Sequence, residues 1–130
     1  METWQDAEHY VGSLIKGKRT PGSGAKRIKG DVRVGKRWII EVKHTTKTSM
    51  TVNRDWLDKL EREQDSGEIA LAVAFKDSIH FYVQDTGPLE LPVWKSVLVR
   101  PEEMPNELTS TTFIYRYYDE HTFKQLVRSE

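Results

Sequence analysis

The sequence contains no cysteine, so disulfides, thiolate metal ligands and thiol nucleophiles are all excluded. Histidine is scarce as well: the four residues show no ligand-like spacing. No apolar run approaches the ~20 residues that a membrane-spanning helix requires. The first ten residues, METWQDAEHY, have no signal-peptide character. We therefore expect a soluble intracellular protein with no membrane partner.

Apolar residues are sparse too, since they make up 37% of the chain and the mean hydropathy is −0.65. Four Trp, five Tyr and four Phe compensate, because each aromatic ring buries a large area. A length of 130 residues fits a single domain with one modest core.

Charge is unevenly distributed, although the formal net charge is zero. Residues 16–47 hold eleven Lys and Arg against two acids, a local charge of +9, so the other 98 residues carry −9. Such a basic segment indicates a polyanion site confined to one region. The alternative is a solvated, flexible loop, but the segment also contains strand-like sequences, which favour the first interpretation.

The periodicity predicts helix, strand, strand, helix, strand, strand, an unassigned stretch, strand and helix. Thr3 and Asp6 have capping-box spacing at the first helix, and Asn53 is the candidate N-cap of the second. The apolar run EIALAVAF predicts a strand covered on both faces. Residues 88–105 are interrupted by proline and stay unassigned. This order predicts an α/β fold with helices packed on a mixed central sheet.

Two acids and one lysine interrupt the basic, strand-like stretch KGDVRVGKRWIIEVKHT, residues 29–45. Residues i and i+2 of a strand project from the same face, so Glu41 and Lys43 share a face with Ile39. The apolar residues between them form the opposite, core-like face. The position of Asp31 then depends on the register of the hairpin.

Two hairpin registers are open. A two-residue turn at residues 35–36 would pair Val32 with Ile39 and put Asp31 on the face away from Glu41. A three-residue loop at residues 35–37 pairs Val32 with Ile40 and sets Asp31 opposite Glu41. The second register matches apolar residues with each other, and a slip of one residue would expose them. We predict the three-residue loop, which is a common hairpin connection.

Opposed carboxylates repel each other, and a bound divalent cation removes that repulsion. An all-oxygen ligand set without Cys or paired His suits Mg²⁺ or Mn²⁺. A lysine two residues further on can hold the attacking water or offset charge that develops on a phosphate. The alternative is a surface cluster of Asp, Glu and Lys across two strands, which leaves the basic surroundings unexplained.

Asp31, Glu41 and Lys43 resemble the D…(D/E)-x-K core of the PD-(D/E)XK nuclease superfamily, inside the α-β-β-α-β arrangement of a restriction-endonuclease-like fold. The chain is similar in particular to archaeal and phage-type Holliday junction resolvases. Those carry a glutamate on the first helix, a Gly/Ser-rich basic loop, the hairpin, a helix and an apolar strand. The matching features here are Glu8, PGSG with Ser23, GDVRVGKRWIIEVK, NRDWLDKLEREQ and IALAVAF. Gly30 stands where the name of the motif has Pro.

The resemblance implies an Mg-dependent endodeoxyribonuclease. Asp31, Glu41 and the backbone carbonyl of Val42 would bind Mg²⁺ or Mn²⁺, and Lys43 would activate or orient the hydrolytic water. Glu8 would complete the acidic site from the first helix, where it borders the apolar face. An ordinary acid at a helix edge is the alternative for Glu8.

DNA contacts are implied for the basic loop. Ser23 would contact the scissile phosphate or the water shell of the metal, although a turn serine in GSG explains it equally. Phosphate contacts position a substrate without reading its sequence. The implied DNA-binding residues are Lys18, Arg19, Lys26, Arg27, Lys29 and Lys47.

Branched DNA, such as a four-way junction, is the substrate that the resemblance implies. It also implies a homodimer, because two sites must face two symmetric strands. The implied location is the cytoplasm of a prokaryotic or phage-infected cell. The resemblance covers about residues 1–84, and residues 85–130 would complete the sheet or the dimer interface. Two alternatives stay open: a same-fold nuclease acting on nicked, flap or duplex DNA, and a nucleic-acid-binding module that cuts nothing.

Three residues near the motif are assigned no catalytic role. His44 falls on the strand face opposite Lys43, and Trp56 lies on the apolar stripe of the second helix. Gln64 either lies near the site or faces solvent, and the second interpretation is favoured.

Overall fold

The structure, a computed structural model, describes residues 1–14, 31–34, 37–64, 67–87, 89 and 94–129, with the backbone alone at positions 31, 33 and 34. Three helices and eight strands lie in these residues. In chain order they are α1 (Trp4–Leu14), β1 (Asp31–Val34), β2 (Trp38–His44), β3 (Met50–Asn53), α2 (Arg54–Glu63), β4 (Glu68–Ala74), β5 (Ile79–Asp85), β6 (Ser96–Val99), β7 (Glu107–Thr109), β8 (Ile114–Asp119) and α3 (Glu120–Arg128).

A six-stranded mixed sheet in the order β1-β2-β4-β5-β8-β7 organises the fold. Strands β2 and β4 run parallel, whereas the other neighbouring pairs are antiparallel. A separate antiparallel pair consists of β3 and β6. Since β2 and β4 are parallel, helix α2 lies within the connection that carries the chain from one to the other.

Helices cover both faces of the sheet. On one face, called the α1/α3 face, Ala7 of α1 and Phe123 of α3 pack in one cluster with Ile40. On the other, called the α2 face, Leu57 of α2 packs in a second cluster with Leu71. Strand β4 contributes to both clusters, which explains its continuous apolar sequence. The predicted mixed α/β architecture with helices flanking the sheet is confirmed.

The expected capping box starts α1. The Asp6 N–H donates to Thr3 Oγ1 at 3.1 Å, and the Thr3 N–H donates to Asp6 Oδ2 at 3.2 Å. Each side chain therefore satisfies the backbone donor of the other, so the helix begins at the residue after Thr3.

Helix α2 starts differently from the prediction. Asn53 has extended backbone angles (φ −93°, ψ 133°), but its side chain makes no capping hydrogen bond. It ends β3, where it pairs with Ser96 of β6. The Arg54 N–H donates instead to the Lys95 carbonyl at 2.9 Å. Lys95, the residue before β6, thus accepts the hydrogen bond at the start of the helix where an Asn53 side-chain cap was predicted.

Gly67 forms the turn that leads into β4. Its φ of 90° lies in the left-handed region, where an L side chain is strained. A Cβ there would lie 2.5 Å from the carbonyl oxygen of Arg37. The same oxygen accepts a hydrogen bond of 2.6 Å from the Glu68 N–H. This close approach aligns the starts of β2 and β4, where Trp38 pairs with Glu68.

The helices are short, with 9 to 11 residues each. A helix that crosses a bilayer needs ~20 residues. Within the part of the chain that the structure describes, no helix is long and apolar enough to cross a membrane.

Candidate functional site

The β1–β2 hairpin has the predicted register. Asp31 pairs with Glu41, and Val32 pairs with Ile40. Val34 pairs with Trp38, which leaves the three residues 35–37 between the paired positions. Directly paired positions share a face, so position 31 lies on the same face of the sheet as Glu41. The three-residue connection is therefore confirmed.

Glu41 and Lys43 lie on the α2 face. The parallel register places Glu41 beside Leu71 and Lys43 beside Val73. Both of these β4 residues belong to the cluster on the α2 face. Ile39 is in the same cluster, so the predicted sharing of one face by residues 39, 41 and 43 is confirmed.

Lys43 balances the charge of a buried glutamate. Glu41 is only 6% exposed. The Nζ atom of Lys43 lies 3.2 Å from Glu41 Oε1, and the lysine side chain is 32% exposed. A buried carboxylate is costly without such a partner. The pair therefore presents an ammonium that solvent can reach next to a carboxylate that is nearly enclosed.

Trp56 completes the surroundings of the ammonium. The Lys43 Nζ atom lies 4.7 Å from the centroid of the Trp56 ring, which is within cation–π range. Trp56 is the third residue of α2 and packs, partly buried, against the cluster on the α2 face. The apolar stripe of the helix predicted this packing but gave no signal for the lysine contact, because the contact depends on how α2 lies over β2.

Glu8 is buried, with 3% exposure, among the core-facing residues of α1. This confirms that it borders the apolar face of its helix. Its neighbours Ala7 and Val11 belong to the cluster on the α1/α3 face, whereas Glu41 lies on the α2 face. Helix α1 lies against β1 and β2, so Glu8 approaches the hairpin from the α1/α3 face while Glu41 projects from β2 on the α2 face.

The described part of the chain contains some of the predicted metal ligands. Val42 is buried on the α1/α3 face. Its backbone pairs with Ala72 of β4, one residue beyond the last position of β2 that pairs with β1. The structure describes the backbone of Asp31 but not its side chain. Among the side chains that are described, no group of three His, Asp or Glu could hold a metal ion.

Most of the predicted DNA contacts also fall outside the described residues. Lys47 is the exception, since it is exposed in the segment that follows β2. Residues for which the structure gives no placement are Lys18, Arg19, Ser23, Lys26, Arg27 and Lys29.

His44 and Gln64 make structural contacts. The Nε2–H of His44 donates to the carbonyl oxygen of Met1 at 2.8 Å, which ties the end of β2 to the start of the chain. Gln64 Nε2 donates to the Gly67 carbonyl at 2.7 Å and to Gln84 Oε1 at 3.1 Å. Gln64 is half-buried and its side chain secures the turn into β4.

His80 forms a buried polar network that the sequence did not indicate. Its Nε2 lies 3.0 Å from Ser78 Oγ, and its Nδ1 lies 2.8 Å from the Tyr117 hydroxyl. Burial lowers the pKa of His80, while the charge of Asp119 acts in the opposite direction. With both nitrogens engaged and 8% exposure, the ring serves as a cross-strand tie between β5 and β8.

The residues brought together are thus Glu41, Lys43 and Trp56, with the backbone of Asp31 paired to Glu41. This arrangement can hold a positive charge in a fixed place beside a carboxylate. Comparisons with known protein families and with curated proteins find no match for this chain.

Proposed function

We propose that this protein is a metal-dependent DNA endonuclease of the PD-(D/E)XK type that acts on branched DNA, such as a four-way junction. The carrying observation is the hairpin register, which pairs Asp31 with Glu41 and sets Lys43 two residues beyond on the same face. The Lys43 ammonium lies 3.2 Å from Glu41 Oε1, so the two proposed catalytic groups are direct neighbours.

The order of elements supports this proposal. Apart from the inserted β3, the chain runs α1, β1, β2, α2 and β4. The hairpin is antiparallel and β2 is parallel to β4. We interpret this as a restriction-endonuclease-like α-β-β-α-β core, in which β5 and β8 extend the sheet away from the site.

The donor chemistry fits a hard divalent cation. Mg²⁺ and Mn²⁺ prefer oxygen ligands, and Asp31, Glu41 and the Val42 carbonyl would hold one of them. Glu8, which packs beside the α1/α3 cluster, would have to reach the ion from the other side of the hairpin. Glu41 is enclosed, so positive charge at its oxygens is favourable. When bound, the cation would make a water more acidic and offset the charge of the phosphate.

Lys43 would act on the water and the phosphate. Its ammonium carries three N–H donors, and one of them faces Glu41. Since the lysine is about one-third exposed, the remaining donors can reach a substrate. They would orient the water for attack on phosphorus and stabilise the negative charge of the transition state.

The basic region would bind the DNA backbone. Lys47 is exposed four residues after Lys43, and Ser23 would contact the scissile phosphate from the basic loop. The remaining proposed phosphate contacts are Lys18, Arg19, Lys26, Arg27 and Lys29. We also propose a homodimer, since the two matching strands of a junction need two sites, and light scattering should give twice the mass of 15.1 kDa.

A cleavage assay tests the proposed activity. A labelled four-way junction, a flap and a plain duplex are each incubated with the protein in Mg²⁺ or in EDTA. We expect cleavage of the junction in Mg²⁺ and none in EDTA. Glu41→Gln and Lys43→Ala should each lower the rate at least ~100-fold, a loss typical for a catalytic group, while binding to the junction persists.

Matched controls lie far from the hairpin. Glu107 is on β7, four strands from β2, or about 19 Å at the usual strand spacing. Lys124 is on α3, on the other face of the sheet. Glu107→Gln and Lys124→Ala should cleave like the wild type. Equal cutting of all three substrates would refute the junction preference, and binding without cleavage would indicate a non-catalytic binding module.

A further inference from the structure

We propose that Trp56 is a positioning residue that holds the Lys43 ammonium beside Glu41. The inference rests on the nuclease function proposed above and assigns a role to a residue outside the D…E-x-K motif. It starts from the contact between the indole ring and the ammonium, at 4.7 Å from centroid to Nζ.

The ammonium is held from two directions. Glu41 Oε1 lies 3.2 Å from Nζ on the side of the strand, and the Trp56 ring faces Nζ from helix α2. A lysine side chain has four flexible carbons and loses much rotamer freedom when it is fixed. Two contacts restrict Nζ far more than the carboxylate alone would.

The indole is itself anchored, because α2 is attached firmly to the rest of the protein. Leu57 and Leu60, which follow Trp56, are buried against the sheet. Asp58 accepts hydrogen bonds from the N–H and the hydroxyl of Thr111 at 2.9 and 3.1 Å. Trp56 therefore provides a fixed wall for the flexible lysine.

Glu61 adds a further anchor to α2. Its Oε2 accepts a hydrogen bond of 2.6 Å from the Tyr115 hydroxyl. Tyr115 is fully buried in β8, so this contact ties the second half of the helix to the sheet. The helix has little freedom to carry the ring away from Lys43.

A ring face suits this role better than a second acid. It attracts a cation through its quadrupole, but it has no lone pair that would take an N–H donor. The ammonium therefore keeps donors for the water and the phosphate while one goes to Glu41. A carboxylate in place of the ring would occupy a second donor and lower the positive charge available to the substrate.

Nuclear magnetic resonance of the metal-free protein tests the contact without any cleavage. The ε-CH₂ protons of Lys43, assigned by their loss in Lys43→Arg, should be shifted upfield by the ring. Trp56→Leu, which keeps apolar bulk without a π face, should abolish the shift, and Trp56→Phe should retain part of it.

A double-mutant cycle measures the coupling in folding stability. Trp56→Leu should lower the folding equilibrium constant in both the wild type and a Lys43→Met background. The decrease should be smaller in Lys43→Met by a factor of about three to ten, because the cation–π contact is already lost there. The absence of both the upfield shift and the coupling would overturn the inference, whether or not the protein cleaves DNA.

Kinetics on the junction test the positioning role. Trp56→Leu should lower kcat roughly three- to tenfold, the size of one cation–π contact, with little change in KM, and Trp56→Phe should restore most of kcat. Wild-type kcat in Trp56→Leu would overturn the positioning role and leave the nuclease intact. A wild-type protein that cuts no DNA, with the upfield shift present, would overturn the nuclease proposal and with it the catalytic role of Trp56.

Discussion

His80 makes the stability of this protein depend on pH. Burial lowers the pKa of the folded imidazole, so the unfolded chain binds a proton first as the pH falls. The contribution of His80 to folding stability is therefore fully present above the ordinary histidine pKa of about 6.5 and decreases below it. Asp119, across the strand pair, reduces this effect without reversing its direction.

The variant His80→Gln isolates that contribution. We expect lower stability than wild type at pH 7.5, because the contacts to Ser78 and Tyr117 are weakened. Between about pH 6.5 and 5, the free energy of unfolding should fall less steeply in the variant than in the wild type. The two slopes should differ by at most about 1.4 kcal/mol per pH unit, the maximum for one titrating group. Urea unfolding at several pH values measures both, and an unchanged slope would contradict the assignment.

For individual residues, the sequence predicted that Glu41 and Lys43 share one face of their strand, because strand periodicity is local. It also predicted that Glu8 borders the apolar side of its helix. It did not predict that Trp56 faces the lysine or that His80 is enclosed by Ser78 and Tyr117. Those contacts require two elements to be placed relative to each other, which periodicity does not encode.

Among the secondary-structure elements, strand β4 depends on Gly67, which sets where the strand starts. Replacement by Ala would force a side chain into the left-handed region and bring Cβ within 2.5 Å of the Arg37 carbonyl oxygen. We expect Gly67→Ala to lower the free energy of unfolding by about 1–3 kcal/mol, as measured by urea denaturation.

Gly87→Ala is the matched control. At Gly87 the nearest atom to an added Cβ is Asp85 Oδ1 at 3.8 Å, an ordinary contact distance. The change should stay within about 0.5 kcal/mol of wild type. Equal losses at both glycines would show that the approach of Gly67 to Arg37 has no special effect on the turn.

Long, strongly patterned elements were predictable, and short edge pairs were not. The capping box of α1, the apolar run of β4 and the three-residue hairpin connection all follow from local sequence. Local patterning does not reveal strand β3, because Asn53 resembles an N-cap and the partner strand, β6, lies far along the chain. Residues 96–99 were unassigned for the same reason.

For the whole molecule, the concentration of positive charge between residues 16 and 47 predicts strong salt dependence of the proposed DNA binding. Lys47→Gln removes one exposed charge next to the candidate site. The slope of log affinity against log salt should become shallower by about 0.9, the value for one phosphate contact on duplex DNA. Fluorescence anisotropy measures this slope in salt from about 50 to about 300 mM, a range that includes physiological ionic strength.

The control for this measurement is Lys124→Gln on α3, which lies on the other face of the sheet. It should keep the wild-type slope. A slope that changes equally in both variants would indicate a general effect of net charge on binding.

The class of the whole fold could be predicted, but its strand order could not. Alternation of helices and strands indicates a mixed sheet with helices on it, and the structure has that architecture. The addition of β8 and β7 beyond β5 depends on pairings between distant segments, for which a single sequence carries little signal.

Strand β2 serves two purposes at alternate positions. Trp38, Ile40 and Val42 fill one half of the interior, while Glu41 and Lys43 occupy the opposite side of the same seven-residue segment. An inserted or deleted residue here would exchange the two sets at once. Efforts to engineer the protein should therefore leave this strand unchanged and vary the exposed residues Thr46 and Thr48, which lie outside both the interior and the proposed DNA contacts.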